Sequence, residues 1–452
     1  MNQNGGIDRA SHSSVFADQS ADPIRIAYLV STYPAISHTF VLREVKRLRR
    51  VNFDIRVASI NSPDRSADGM TSEEQDESSA TFYVKREGIR GSARAHLAVL
   101  VKSPKSYFTG LWFALRLAGT DLRQLIFAVF YFVEAVILGR WMESQGLRHL
   151  HVHFANAAST VGLIASRIFP IEFSMTVHGP DEFYDAPGLR LAEKIAGASF
   201  ACCIGQFARS QLMKLSPPGE WGKFEIGPLG VDPQLFAPRP FRSAPETFEI
   251  LCVGRLVPAK GQYVLVAAVS RLVKSTPNLR LRLVGEGPDR EGLERAIAAA
   301  KLGRHIILEG SVNQDRIRDY YRRADIFVLA SFAEGIPVVL MEAMAMEIAC
   351  VSTFVAGIPE LIRSEIDGIL VPPSDDLELA SAIKRLIDDS ALRHRLGVAA
   401  RRRVMEKYNL DRNVAVLAQI FADRIGGHRG RLRIDSSEWA LDRHHATHRF
   451  SA

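Results

Sequence analysis

Two distant stretches of this chain share one grammar. PIRIAYLV (23–30) is a continuous apolar run rich in β-formers, followed by the loop STYPAISHT and then by FVLREVKRLRR with helical periodicity. FEILCVG (248–254) is followed by RLVPAKG and the helical QYVLVAAVSRLVKS. Strand candidates keep alternating with helices: FDIRVASI, HLHVHFA, FSMTVHG and FACCIG in the first half, LRLRLVGEG, IILEG, DIFVLAS and ACVSTFVAG in the second. Apolar strands without polar alternation are buried on both faces, and intervening helices supply the cover, so the pattern predicts parallel sheets. At 452 residues the chain exceeds what one hydrophobic core supports. The expectation is an α/β chain of two Rossmann-like domains, residues 23–240 and 246–408, with the Pro-rich GPLGVDPQLFAPRPFRSAPE (227–246) as the join. Residues 1–22 and 426–452 read as disordered tails by composition.

Open parallel sheets bind ligands outside the carboxyl ends of their strands, where loops turn into helix amino ends. Two such domains facing each other form a cleft between those edges, and the informative residues fall on these loops. GRLVPAKG places Arg255 and Lys260 between Gly254 and Gly261 directly after a strand, a pocket for a diphosphate beside a helix amino end. The alternative is a solvated surface loop. LVGEGP (283–288) is glycine-rich but is neither G-x-G-x-x-G nor a Walker motif, so a nucleotide fits better than a nicotinamide or a P-loop triphosphate. EGIPVVLMEAMA (334–345) puts Glu334 in the loop after DIFVLAS and Glu342 within the following helix, whose first turn suits Pro337. The spacing of the two carboxylates is common by chance; their position at one mouth is what carries meaning. There they would offer acceptors for sugar hydroxyls, while nearby amides offer donors for phosphate.

The formal charge of +7 suits an anionic substrate or an anionic membrane face, and no nucleic-acid-binding pattern is present, so nucleic acid is not an expected partner. The four cysteines lack metal or redox spacing and read as buried thiols of a cytosolic protein. The first residues show no apolar core of a signal peptide. LIFAVFYFVEAVIL (125–138) is too short to span a bilayer and reads as a buried or interfacial helix. With SARAHLAVLVKSPKSYFTGLWFALRLAG ahead of it, the segment supports either peripheral contact with an anionic membrane or plain core packing. His149, His151 and His153 alternate on one strand face, and ordinary packing outweighs a metal site there.

With G-R-x(4)-K-G ahead of it, EGIPVVLMEAMA resembles the family-four retaining glycosyltransferases of the GT-B fold. GVD (230–232), VGEGP, LEG, AGIPELI and DGILVPPSD occur in that family's order. YPAISHTFVLREV, HVHFAN and SMTVHGPDEF resemble its branch that builds bacterial exopolysaccharides such as colanic acid. The resemblance implies two domains facing across a cleft, with a helix at 409–425 returning to the N-terminal domain. It implies that Arg255 and Lys260 stabilise the leaving nucleotide diphosphate, that Glu334 holds the transferred sugar and that Glu342 holds the ribose. Gly254, Gly310, Gly335, Ile336, Pro337 and Val338 would line the donor site. His178 would face the donor sugar from the N-terminal domain, and Ser37, His38, Thr39 and Asp181 would lie on the acceptor side. His38 stands where that branch commonly has Glu, and Met346-Glu347-Ile348-Ala349 replaces a Gly and Pro at the helix exit.

The implied reaction moves a sugar from a nucleotide-diphosphate donor to a saccharide or lipid-linked saccharide at the cytoplasmic membrane face, with retention and with neither metal nor cofactor. Two other readings stand beside it. One is a nucleotide-sugar epimerase on the same plan, which a donor-only assay separates. The other is a catalytically silent scaffold in polysaccharide assembly.

Overall fold

The computed structural model describes residues 22–425, so the expected tails lie outside the described residues except for Asp22. The N-terminal domain contains strands β1 (Ile24–Thr32), β2 (Phe53–Asn61), β3 (Phe82–Tyr83), β4 (His149–His153), β5 (Glu172–Val177), β6 (Ala201–Cys203) and β7 (Phe224–Ile226). They form one sheet in the order β3-β2-β1-β4-β5-β6-β7. The second domain contains β8 (Phe248–Val253), β9 (Leu279–Val284), β10 (Ile306–Gly310), β11 (Ile326–Leu329), β12 (Ala349–Thr353) and β13 (Ile369–Val371), in the order β10-β9-β8-β11-β12-β13. Neighbouring strands pair in parallel, the uninterrupted apolar β11 as well as the alternating β9, whose Arg280 and Arg282 are only half-buried.

Strand order reverses between β1 and β4 and again between β8 and β11. At such a switch point, adjacent connections leave to opposite faces and open a crevice. The loops after β1, β8 and β11 therefore emerge at crevice edges and carry most of the candidate residues, while the loop after β5, one strand beyond β4, carries His178 and Asp181. β11 anchors the loop that follows it: all four of its side chains are fully buried, each contributing about 1.5–3 kcal/mol.

The helix Thr39–Arg50 ties the two domains together. Val41, Leu42, Val45 and Leu48 recur on one face and enter the N-terminal core, which leaves Arg43 and Arg47 on a separate face one turn apart. Arg47 reaches Asp232 at 2.6 Å and Asp411 at 2.7 Å. The helix Leu410–Ile425 returns to the N-terminal domain, where Phe421 packs edge-on to Tyr28 and tilted against Phe200. The Pro-rich join is anchored along its length: Val231 bridges Asn409, and Phe236 is buried in the second core.

His149, His151 and His153 share one face of β4, as alternation requires. His149 and His151 bond to the hydroxyls of Ser174 and Thr176 on β5, and His151 packs against Phe421. The apolar run at 125–138 belongs to a longer element than its composition indicated. The helix spans Leu122–Ser144, 23 residues, because polar residues at both ends continue its hydrogen bonding. By length and composition alone it is the one described helix able to cross a membrane. It packs against two preceding helices, Gly88–Lys102 and Pro104–Ala118.

Candidate active site

Glu334 lies in the loop following β11 and is buried. The Ser331 hydroxyl donates to its Oε1 at 2.8 Å, and the Lys260 ammonium forms a close ion pair with the same oxygen. Lys260 ends the short turn Pro258–Lys260 after β8, and its side chain lies over Gly254. The two loops are interlocked, since the Phe332 N–H donates to the Ala259 carbonyl at 2.8 Å. Gly261 permits this approach: its φ is +62°, and a β-carbon there would strike the Ala330 carbonyl.

Arg255 remains open to solvent, its side chain 60% exposed, and it faces the other domain with a guanidinium nitrogen 3.7 Å from Asp181. Asp181 begins the short helix Asp181–Tyr184 and is itself exposed. The cleft therefore has one cation held by Glu334 and a second, exposed, in a loose ion pair with Asp181 across the cleft.

His178 follows β5 and is buried. Its Nε2 lies 3.1 Å from Nδ1 of His153, and its ring packs against both Phe40 and Phe154, which also contact each other. The second ring nitrogen, Nδ1, has no hydrogen-bond partner among the described residues. Burial, reinforced by His153 and His38, holds His178 well below the usual histidine pKa, so the ring is neutral. His153 in turn places Nε2 3.3 Å from Glu44, out of line for a hydrogen bond, and Glu44 accepts from Tyr28 at 2.8 Å.

The domains meet at backbone level beside His178. Gly335 lies against the His178 carbonyl, where a β-carbon would collide with that oxygen, and the Gly335 amide lies close to Gly179. His178 and Glu334 thus flank one point of contact. Nearby, Glu360 accepts the N–H groups of Gln206 and Phe207, each at 2.7 Å, and so closes a helix amino end across the same boundary.

Among the remaining candidates, Ser37 and His38 lie in the turn Ile36–His38 after β1, Ser37 exposed, and Thr39 is buried as the first residue of the next helix. His38 stacks obliquely on Phe154, with ring centroids 4.6 Å apart. Burial, then Arg255 and His153, lower its pKa to about 4. Gly310 ends β10 with φ +76°, and its carbonyl accepts from Gly285 at 2.8 Å. Ile336 is buried and Val338 half-buried.

Two positions differ from the sequence expectation. Pro337 precedes the helix Val338–Ala345 as its N-cap with extended ψ of 121°, because a cap residue keeps non-helical backbone while its carbonyl accepts the first helical N–H groups, here from Leu340 and Met341. Glu342 is buried and engaged rather than open at the mouth. Arg43 of the N-terminal domain lies 3.2 Å from Oε1, and Tyr321 donates to Oε2 at 2.9 Å. Burial raises the Glu342 pKa, and Arg43 and Tyr321 oppose that shift.

Sequence reasoning missed Arg43, which also contacts Gln314, and the pair Glu182 and Lys194. Glu182 accepts N–H groups from His178 at 2.5 Å, from Gly179 at 2.7 Å and from Ala155. Burial nevertheless pushes it up to about 7. Lys194, lowered to about 7 by burial, donates to the Ala155 and Asn156 carbonyls at 2.9 and 2.7 Å. Together they fix the loops that present His153 and His178. The signal for Glu182 was a carboxylate four residues after His178; Lys194 had none.

The geometry agrees with what known proteins look like. Residues 236–403 match the family model for glycosyl transferases group 1. WcaL of Escherichia coli K12, named for colanic acid biosynthesis, is 26% identical over 376 residues, covering 80% of this chain and 90% of that protein. The amylovoran biosynthesis glycosyltransferase AmsK of Erwinia amylovora is 25% identical over 415 residues, covering 88% and 99%. Among solved structures, Anabaena HepE in complex with UDP-glucose superimposes with a TM-score of 0.68 at 16% identity, covering 88% of this chain and all of that one. The paired parallel-sheet domains are those of the GT-B fold.

Proposed function

With residues 236–403 a glycosyl transferases group 1 domain and the chain a glycosyltransferase, we propose that it moves a sugar, with retention and without a metal, from a nucleotide-diphosphate donor to a saccharide or lipid-linked saccharide in bacterial exopolysaccharide synthesis. The names of WcaL and AmsK support the pathway, and the UDP-glucose bound to HepE supports the donor class. The observation that carries the reading is the placement of Lys260 on Glu334 with Arg255 facing Asp181 across the cleft.

In the proposed step the anomeric carbon–oxygen bond to the diphosphate breaks as an acceptor hydroxyl bonds to the same face of that carbon. The hydroxyl proton passes to a diphosphate oxygen, and the nucleoside diphosphate leaves. Arg255 and Lys260 stabilise the charge growing on the leaving group, which is where fixed charge lowers a barrier most. Glu334 orients both Lys260 and the sugar hydroxyls, and the neutral His178 offers Nδ1 from the opposite wall. Backbone groups at Gly254, Gly310, Gly335, Ile336, Pro337 and Val338 line the donor, and Glu342 accepts from the ribose hydroxyls while keeping its contact with Arg43. Ser37, His38, Thr39 and Asp181 form the acceptor side. A nucleotide-sugar donor places the reaction on the cytoplasmic side.

The epimerase reading finds no support in the family model or in these relatives. The presence of Arg255, Lys260, Glu334 and Glu342 together argues against a silent scaffold. A thermal-shift series with UDP, GDP and ADP and their sugars tests the proposal, because a ligand of the native state raises the melting temperature. One base is expected to stabilise the protein, and the product glycoside should keep the donor's anomeric configuration. No shift with any of them, or an inverted product, counts against it.

A further inference from the structure

The layer formed by Gly88–Lys102, Pro104–Ala118 and Leu122–Ser144 has two faces of different character. Its inner face is committed to the N-terminal core through Val99, Ala114, Phe132 and Ala135. On its outer face each helix carries an i,i+4 pair of exposed apolar residues: Leu97 and Val101 (62% and 74% exposed), Phe108 and Trp112 (58% and 59%), Ile126 and Phe130 (52% and 59%). Half of the large apolar side chains exposed among the described residues, 11 of 22, fall within residues 89–130. Scattered exposed hydrophobics need no explanation, but a concentration of this kind marks a surface that is covered in use.

The charge around it selects what covers it. Residues 85–123 contain eight Lys or Arg and two Asp or Glu. Arg116 lies over the Trp112 ring and Arg123 over the Phe127 ring, so cations stand at the apolar surface itself. A second copy meeting this face about a two-fold axis would set like charges against each other. An anionic lipid surface answers both the charge and the apolar side chains. A bilayer-crossing role for Leu122–Ser144 does not fit its burial, since Ala135, Val136, Leu138 and Met142 are fully enclosed by the domain.

We propose that this outer helical face docks the enzyme on the surface of a bilayer containing anionic lipids, its apolar pairs entering the headgroup boundary without crossing it. The docking is independent of the chemistry; only its purpose, presenting a lipid-linked acceptor to the cleft, rests on the glycosyltransferase reading.

The test uses the full chain, without donor or acceptor, and two sets of vesicles: phosphatidylcholine alone, and phosphatidylcholine with about one third phosphatidylglycerol. Co-sedimentation with the anionic vesicles is expected, with quenching of Trp112 by brominated lipid that disappears in Trp112→Phe. The combined variant Arg90→Gln, Lys105→Gln, Arg123→Gln should bind roughly a hundredfold more weakly. The combined variant Phe108→Ser, Trp112→Ser, Phe130→Ser should lose binding while keeping its melting temperature and its turnover of a water-soluble acceptor. Failure of the native chain to bind anionic vesicles overturns the proposal, as does absence of Trp112 quenching. A dimer in solution that the apolar variant abolishes, without vesicle binding, assigns the face to a second copy and overturns it too. Vesicle binding by a protein that turns over no nucleotide-sugar would sink the proposed function and leave the docking surface standing.

Discussion

Arg43, on the first helix of the N-terminal domain, lies 3.2 Å from Glu342 in the second domain, and both side chains are almost wholly buried. Tyr321 completes the site from a third element, donating to the other carboxylate oxygen. Burying two charges is offset only while each keeps its partner, so this contact is a clamp with a high cost of breaking. Arg43→Ala should destabilise the protein by about 3–5 kcal/mol, because Glu342 is left buried with a single hydroxyl. Adding Glu342→Gln should restore part of that loss. Melting temperatures of the two variants decide the matter: an Arg43→Ala protein as stable as the parent would show that the clamp is not closed in solution.

Gly335 offers a test of the domain contact at a single atom. A β-carbon there meets the His178 carbonyl, and the two loops must separate to admit it. Gly335→Ala should lower turnover by roughly tenfold or more, since misplacing a reacting pair by about 1 Å has effects of that order. Full activity in a folded Gly335→Ala protein would mean that these backbones are apart during catalysis.

Acid should unfold this protein through its buried histidines. His38 titrates in the native state near pH 4 against 6.5 for an ordinary histidine, with burial the main cause. Between those values the unfolded chain binds a proton that the native state refuses, so stability falls as pH falls through that window and is complete above it. His38 alone accounts for up to about 3 kcal/mol. His149, His151 and His178 shift in the same direction and steepen the loss. A His38→Gln variant should show a shallower decline in melting temperature between pH 6.5 and 4; a profile parallel to the parent's removes His38 from the account.

The parts of this architecture that were readable from sequence are those with local causes. Apolar runs such as DIFVLAS are legible because an uninterrupted apolar pattern signals a strand buried on both faces whichever distant strands flank it, here β8 and β12, and switch-point geometry then brings the loops holding Arg255, Lys260 and Glu334 to one edge. Arg43 was invisible because helical periodicity assigns it to a polar face without saying that Glu342, far along the chain, would cover it. Lys194 was hidden for the same reason: a lysine on a short helix reads as solvated until the Ala155 and Asn156 carbonyls are seen to enclose it. The helix Leu122–Ser144 outran its apolar run because Arg, Gln and Glu at its ends continue a helix as well as Leu does.

The central claim is that Lys260 and Arg255 draw off the leaving diphosphate. Single-turnover rates of Lys260→Ala and Arg255→Ala at saturating donor test it most directly, because they isolate the chemical step from binding and release. Each variant should be slower by on the order of a hundredfold or more, the usual effect of removing a preorganised charge from a transition state. Near-normal rates in both, with the fold intact, would contradict the account.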